Sequence, residues 1–175
     1  MFVPRFQLEW ESAIVEYTTY LYKKVAVHGN ASASNKAIPR VISKDIPLLG
    51  PKFSPPSFLH VLWRDAAPII TPETAYMSPL TVVHPVFYPT EFTECPGCGS
   101  KNFRWDGWTS TGARSVHGIR ADERAIGFQL RCKDCEETKA PGGHCFATTN
   151  TVFWDKWNHW RIPSTLISLP YVSLY

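Results

Sequence analysis

Two Cys-x-x-Cys pairs, Cys95-Pro-Gly-Cys98 and Cys132-Lys-Asp-Cys135, are the residues whose type and spacing most directly specify chemistry. Two residues between the cysteines let both sulfurs of a pair turn toward one centre, and Gly97 and Gly99 free the backbone so that amides can face the thiolates. Two such knuckles complete a tetrahedral four-sulfur shell with no open coordination position, the signature of one structural rather than catalytic Zn2+. Iron accepts the same four thiolates but wants apolar shielding of both knuckles. Lys133, Asp134, Glu136 and Glu137 make the second knuckle polar, which favours zinc. The intervening residues, 99–131, exceed the usual spacing and suffice for two long strands that return the chain to the metal.

The other reactive residues are less organised. Cys145 follows His144 and precedes Phe146. Its simplest role is that of a small buried hydrophobe; the sharper alternative is a substitute ligand or part of a second site. His84 and His117 lack spaced partners and read as surface or internally satisfied histidines. No Gly-rich phosphate loop, metalloprotease His pair or supported Ser-His-Asp order is present. Cys145 beside His144 does not make a nucleophile and base, because sequence neighbours rarely reach that geometry. The expectation is a protein that is not an enzyme.

Composition narrows the setting. Hydrophobic residues are 44% of 175, enough for a core, and the aromatic 14% includes 7 Trp. The formal charge of +3 falls to about +1 once four thiolates hold one divalent ion, which neither demands nor excludes a polyanionic partner. The N-terminal stretch MFVPRFQLEWESAIVEY lacks a basic leader, and Glu9 and Glu11 interrupt its apolar run. No stretch approaches the ~20 apolar residues of a bilayer span. A reducing, intracellular compartment (nucleus or cytoplasm) is expected, where paired cysteines mean metal.

The elements that must position the cysteines follow from periodicity. Residues 5–24 place Trp10, Ala13, Ile14, Tyr17, Tyr20 and Leu21 at helical spacing, with Glu early and Lys late, and predict an amphipathic helix docked on a core. The small polar run 28–37 reads as a linker. Residues 38–90 carry ten of the 15 prolines and predict an extended strap, in which 81–88 forms an edge strand beside Pro85. FRWDGW, ARSVHGI and IGFQLRC are short β-compatible runs, and TNTVFWDKWNHWRIP a short helix capped by Asn150 or Thr151, with Phe153, Trp157 and Trp160 on one face. The expected fold is small and β-rich, of the α+β class: an N-terminal helix over 1–27, a Pro-rich strap over 28–79, and a zinc ribbon of antiparallel strands over 80–175 with a Trp-rich C-terminal helix.

With the knuckles placed, CPGCGS…GFQLRCKDC…CFATTNTVFWDKWNHWRIP resembles an uncharacterised zinc-ribbon family of filamentous and mushroom-forming fungi whose members read like transposon-derived proteins. The resemblance covers about Leu80 to Leu169. More loosely, CPxCGS…LRCKDC is similar to the N-terminal zinc ribbons of insertion-sequence transposases, although the insert between knuckles is longer and no acidic catalytic triad domain follows. It implies DNA binding, and the leading expectation is a non-catalytic nucleic-acid-binding module, for DNA or RNA, of a transposon-derived or nuclear protein. The residues suited to that role are Arg104, Arg114, Arg120 and Arg124 for phosphates, with Trp105 or Trp108 as a stacking face; core duty for these tryptophans is the competing reading. A protein-interaction scaffold using the Pro-rich and aromatic surfaces is the alternative. Asp122-Glu123 also resembles the acidic hairpin tip of transcript-cleavage factors. Phe128 is one residue out of step with that pattern, and Arg120 and Arg124 flank the pair, so a solvated turn is the simpler account.

Overall fold

The computed structural model describes residues 3–28, 50–55, 76–117 and 122–154. Among these, six strands form one mixed sheet, and helices lie against it. The strands are β1 (Lys52–Phe53), β2 (Leu80–Val83), β3 (Phe103–Trp108), β4 (Arg114–His117), β5 (Asp122–Cys132) and β6 (Cys145–Ala147). The helices are α1 (Arg5–His28), α2 (Lys133–Glu137) and α3 (Thr151–Trp154). It is a small α+β fold, as the sequence predicts.

Strand β5, 11 residues long, is the axis. Its alternation puts Ile126, Phe128, Leu130 and Cys132 on one buried face. Both of its edges change partner midway. On one edge β3 and then β4 run antiparallel to it, from Phe103 opposite Cys132 to His117 opposite Asp122. A shift between Trp105 and Gly107, where Gly107 adopts φ +123°, bulges β3. On the other edge β2 pairs in parallel with the first half of β5, and β6 antiparallel with the second. The sheet is therefore mixed, where the sequence predicts antiparallel strands throughout. The parallel pair arises because β2 enters from the proline-rich region, not from a hairpin.

Thr148 closes the gap where β2 ends and β6 begins. Its hydroxyl donates to the Val83 carbonyl and accepts from the Phe128 N–H, and its own N–H donates to the Phe128 carbonyl at 2.8 Å. The expected edge strand over 81–88 is shortened to Leu80–Val83 and lies between β1 and β5. It stops before His84-Pro85, where the chain turns with Phe87 N–H bonded to the His84 carbonyl. Residues 50–55 and 76–90 are the described part of the strap; the linker 29–37 and the rest of the strap lie outside the described residues, as do Trp157 and Trp160.

Helix α1 packs on the sheet and does not stand apart. Ile14 shares a core with Leu80, Val82 and Ile126, while Leu21 and Val25 pack with Val86. Its buried stripe is Gln7, Glu11, Ile14, Thr18, Leu21 and Val25, turned from the expected Trp10–Tyr20 face. The cause is polar: Gln7 bonds both the N–H and the carbonyl of Ser78, and Glu11 pairs with Arg124 across the sheet, so these side chains are satisfied inside. A second core, at the other end of β5, gathers Phe92, Phe103, Leu130, Phe146 and Phe153 around the cysteines.

Candidate metal centre

Cys95, Cys98, Cys132 and Cys135 converge, with their four sulfurs within 4.8 Å of one another. The first knuckle precedes β3, and the second spans the end of β5 and the start of α2. Antiparallel pairing of Phe103 with Cys132 brings the two to the same end of the sheet. Across the knuckles, Cys95 Sγ lies 3.7 Å from Cys135 Sγ, and Cys98 Sγ lies 3.6 Å from Cys132 Sγ. A tetrahedral ion with metal–sulfur bonds of about 2.3 Å needs sulfur–sulfur edges of about 3.8 Å, which these two cross-knuckle distances match. No other group of three or more His, Cys, Asp or Glu side chains among the described residues could hold a metal ion.

The local backbone aims these sulfurs. In the first knuckle, the Gly99 N–H bonds the Cys95 carbonyl and the Cys95 N–H bonds the Ser100 carbonyl, each at 2.8 Å. The N–H groups of Cys98 and Gly97 face the Cys95 sulfur, and that of Ser100 faces Cys98. Closing this turn requires Gly99 at φ +73°, a conformation L side chains disfavour. In the second knuckle Cys132 N-caps α2, and the Cys135 carbonyl accepts from the Ala140 N–H.

Electrostatics divide the four thiols. The Ser100 amide draws the exposed Cys98 below the ordinary thiol range. Burial pushes Cys95 up, against the pull of the Cys98 and Gly97 amides. Burial and hydrogen bonds with the other three thiols push Cys135 higher still. Without a cation the set resists ionising together; a divalent ion at its centre reverses that balance.

Sequence reading missed the clamp that ties the knuckles together. The Asp134 carboxylate accepts from Ser100 Oγ and from Asn102 Nδ2, the latter at 2.6 Å, and the Lys133 N–H bonds the Asn102 carbonyl. The Ser100 hydroxyl, then the Asn102 amide, hold Asp134 below the usual carboxylate range. The available signal was a hydroxyl and an amide just after one knuckle and a carboxylate inside the other.

The remaining expected site residues do not gather. Arg104 is exposed and lies 3.6 Å from Asp106, which also binds Arg131 at 2.9 Å. Arg124 is withdrawn from solvent, bound to Glu11 and to the Ala113 carbonyl, so it has no free face for a phosphate. Arg114 is exposed with no ionic partner among the described residues; Arg120 lies outside them. Both tryptophans are half-buried in the core: Trp105 packs on Phe92, Phe103 and Phe128, and Trp108 on His84 and Phe128, with its Nε1–H donating to Thr19. Asp122 stands at the exposed start of β5, and Glu123 pairs with Lys52 at 2.7 Å. Cys145 sits half-buried opposite Arg131 and outside the four-sulfur group, and His144 faces Glu136 at 3.9 Å. His84 is fully buried.

No helix among the described residues is long and apolar enough to cross a membrane. Compared with family models, curated proteins and solved structures, the chain matches none.

Proposed function

We propose that the chain is a non-catalytic zinc-ribbon module that holds one structural Zn2+ through Cys95, Cys98, Cys132 and Cys135. The observation that carries this reading is the convergence of four thiols to within 4.8 Å of one another, with two cross-knuckle distances of 3.7 and 3.6 Å. Four protein sulfurs fill the shell, leaving no position for a substrate or water. Zinc is preferred to iron because Lys133, Glu136 and Glu137 are exposed around the second knuckle. The test is metal analysis with native mass spectrometry of chain purified under reducing conditions. One zinc per chain is expected, with loss of at least tenfold in affinity on Cys135→Ser. A folded chain that carries no metal, or carries iron with its visible absorbance, would sink the assignment.

For the module's partner the proposal is nucleic acid, in keeping with the fungal transposon-like resemblance. It rests on Arg104 and Arg114, which are exposed; Arg120, expected beside them, lies outside the described residues. Arg124, Trp105 and Trp108 drop out of that surface because each is used inside. Binding by phosphate contact would weaken steeply with salt, and Arg114→Ala would lower the salt slope by about one. Binding indifferent to salt and to Arg114 leaves the protein-interaction scaffold instead.

A further inference from the structure

The four sulfurs of the cysteine shell are not equally accessible. Cys95, Cys132 and Cys135 are 0%, 0% and 2% exposed, while Cys98 lies open to solvent. The core formed by Phe92, Phe103, Leu130 and Phe146 takes in the other three cysteines and leaves Cys98 out. The sequence around Cys98 keeps it bare. Gly97 and Gly99 flank it without side chains and are themselves exposed, and a Cβ on Gly99 would meet nothing within 4 Å.

An exposed sulfur that ligates a divalent ion is an exposed thiolate, because a coordinating thiol is deprotonated outright. The thiolate is the form that attacks an oxidant. A second sulfur stands ready to complete the reaction: Cys132 Sγ lies 3.6 Å from Cys98 Sγ, in the other knuckle. Cys95, in the same knuckle as Cys98, has Cys135 Sγ at 3.7 Å. A disulfide of about 2.05 Å requires the Cys98 and Cys132 sulfurs to close by about 1.5 Å.

We infer that Cys98 is a modification site, where a peroxide enters the shell and converts it to a Cys98–Cys132 disulfide with loss of the ion. The inference deepens the zinc reading and rests on it. The Cys98 thiolate attacks one peroxide oxygen; an S–O bond forms, the O–O bond breaks and hydroxide leaves. The Cys132 thiolate then attacks the Cys98 sulfur; the S–S bond forms, the S–O bond breaks and a second hydroxide leaves. The two sulfurs lose two electrons, the peroxide gains them, and two protons from solvent turn the hydroxides to water. Only Cys95 and Cys135 are left to ligate, too few for a structural site. The product joins the knuckles covalently at the end of the sheet where the Asp134 carboxylate already ties Ser100 to Asn102. A disulfide within one knuckle would leave the two knuckles untied. The oxidised chain therefore keeps this end closed, and a thiol reductant returns it to the metal-binding form.

The test treats the full, zinc-loaded chain with stoichiometric hydrogen peroxide. Released zinc is followed with a chromogenic chelator, and the unreduced peptides are mapped by mass spectrometry. Zinc release together with a Cys98–Cys132 link is expected, and dithiothreitol should restore both the thiols and zinc uptake. Cys98→His keeps a ligand but removes the attacking sulfur, so it should release zinc at least about tenfold more slowly. Cys145→Ser, outside the shell, should change neither the rate nor the link. Should Cys98→His hold no zinc, the wild-type peptide map decides alone. A first link between Cys95 and Cys98, a link through Cys145, zinc release without a disulfide, or an undiminished rate in Cys98→His overturns the proposal. A chain that carries no zinc before peroxide fails the metal assignment instead, and its peptide map still decides whether Cys98 joins Cys132.

Discussion

Gly97 has room for a hydrogen and little more: a Cβ there would come within 3.0 Å of the Phe146 ring and 3.7 Å of Cys135 Sγ. Phe146 presses on both knuckles from β6, so the glycine serves packing as well as turn geometry. His84 is a second residue whose role is set by what surrounds it. Its Nδ1 accepts the Val86 N–H, so the neutral ring carries its proton on Nε2, which is buried without a hydrogen-bond partner. Phe128, Tyr22 and Trp108 enclose the ring at 4.3, 5.1 and 5.2 Å, and burial lowers its pKa to about 3. Tyr22, whose hydroxyl pKa burial raises, stays neutral beside it. A histidine depressed on folding contributes stability above its unfolded pKa of 6.5, and that contribution is lost as pH falls from 6.5 toward 3. Between pH 7 and pH 5.5 the loss is about 1.3 kcal/mol. His84→Asn keeps an acceptor for Val86 but does not titrate. Urea denaturation with zinc at both pH values should show the wild type losing about 1.3 kcal/mol more than the variant. Acid acts on the cysteines of both proteins alike, so equal losses would mean that His84 does not stay neutral when folded.

At the scale of elements, β5 shows how much of the design a single strand can carry and how little of it a linear reading recovers. Gly127 marks the level at which its partners exchange. A Cβ there would meet Thr149 Cγ2 at 2.9 Å, Thr148 Oγ1 at 3.0 Å and the Thr149 backbone nitrogen at 3.1 Å. The backbone atom cannot rotate away, so Gly127→Ala must push the Thr148 junction off β5. The expected cost is about 1–3 kcal/mol despite alanine's better strand propensity, read as a lower midpoint in chemical denaturation with the slope unchanged. A neutral or stabilising alanine would show that the junction gives way freely. The knuckles, the span of α1 and the Asn150 cap of α3, whose Oδ1 accepts the Val152 N–H, were legible because each rests on local spacing. The inward face of α1 was not, since Gln7, Glu11 and Thr18 look solvent-facing until Ser78 and Arg124 arrive from distant sequence. Trp105 and Trp108 were ambiguous for the same reason: stacking platforms and core residues differ only in what lies over them. The parallel pairing of β2 with β5 has no sequence signal, because nothing but the folded sheet relates residues 80–83 to 124–127.

At the scale of the whole molecule, the two ends of β5 rest on different physics. One end is held by α1, through Ile14 on Leu80, Val82 and Ile126, and by the Glu11–Arg124 pair, whose side chains are only 8% and 11% exposed. Removing either partner would leave a buried charge uncompensated, so this end is bound by packing and by a pair that must stay whole. The other end surrounds the cysteines with Phe92, Phe103, Leu130, Phe146 and Phe153. If the four thiols hold the proposed ion, a small core of this kind gains much of its stability from it, since binding free energy at a structural site is folding free energy. Withdrawing the metal should therefore not melt the molecule evenly. Hydrogen exchange read by mass spectrometry, with and without a strong chelator under reducing conditions, should show protection falling in 95–105, 128–135 and 144–147. Protection in α1 and in 80–83 should change far less, because the contacts that guard their amides do not involve the cysteines. Phe87 packs against the cores at both ends, so it is where the loosening would first cross from one to the other. Equal loss of protection along the chain would make β5 one cooperative unit, with the metal stabilising all of it; no loss anywhere would remove the ion from the folding of this protein altogether.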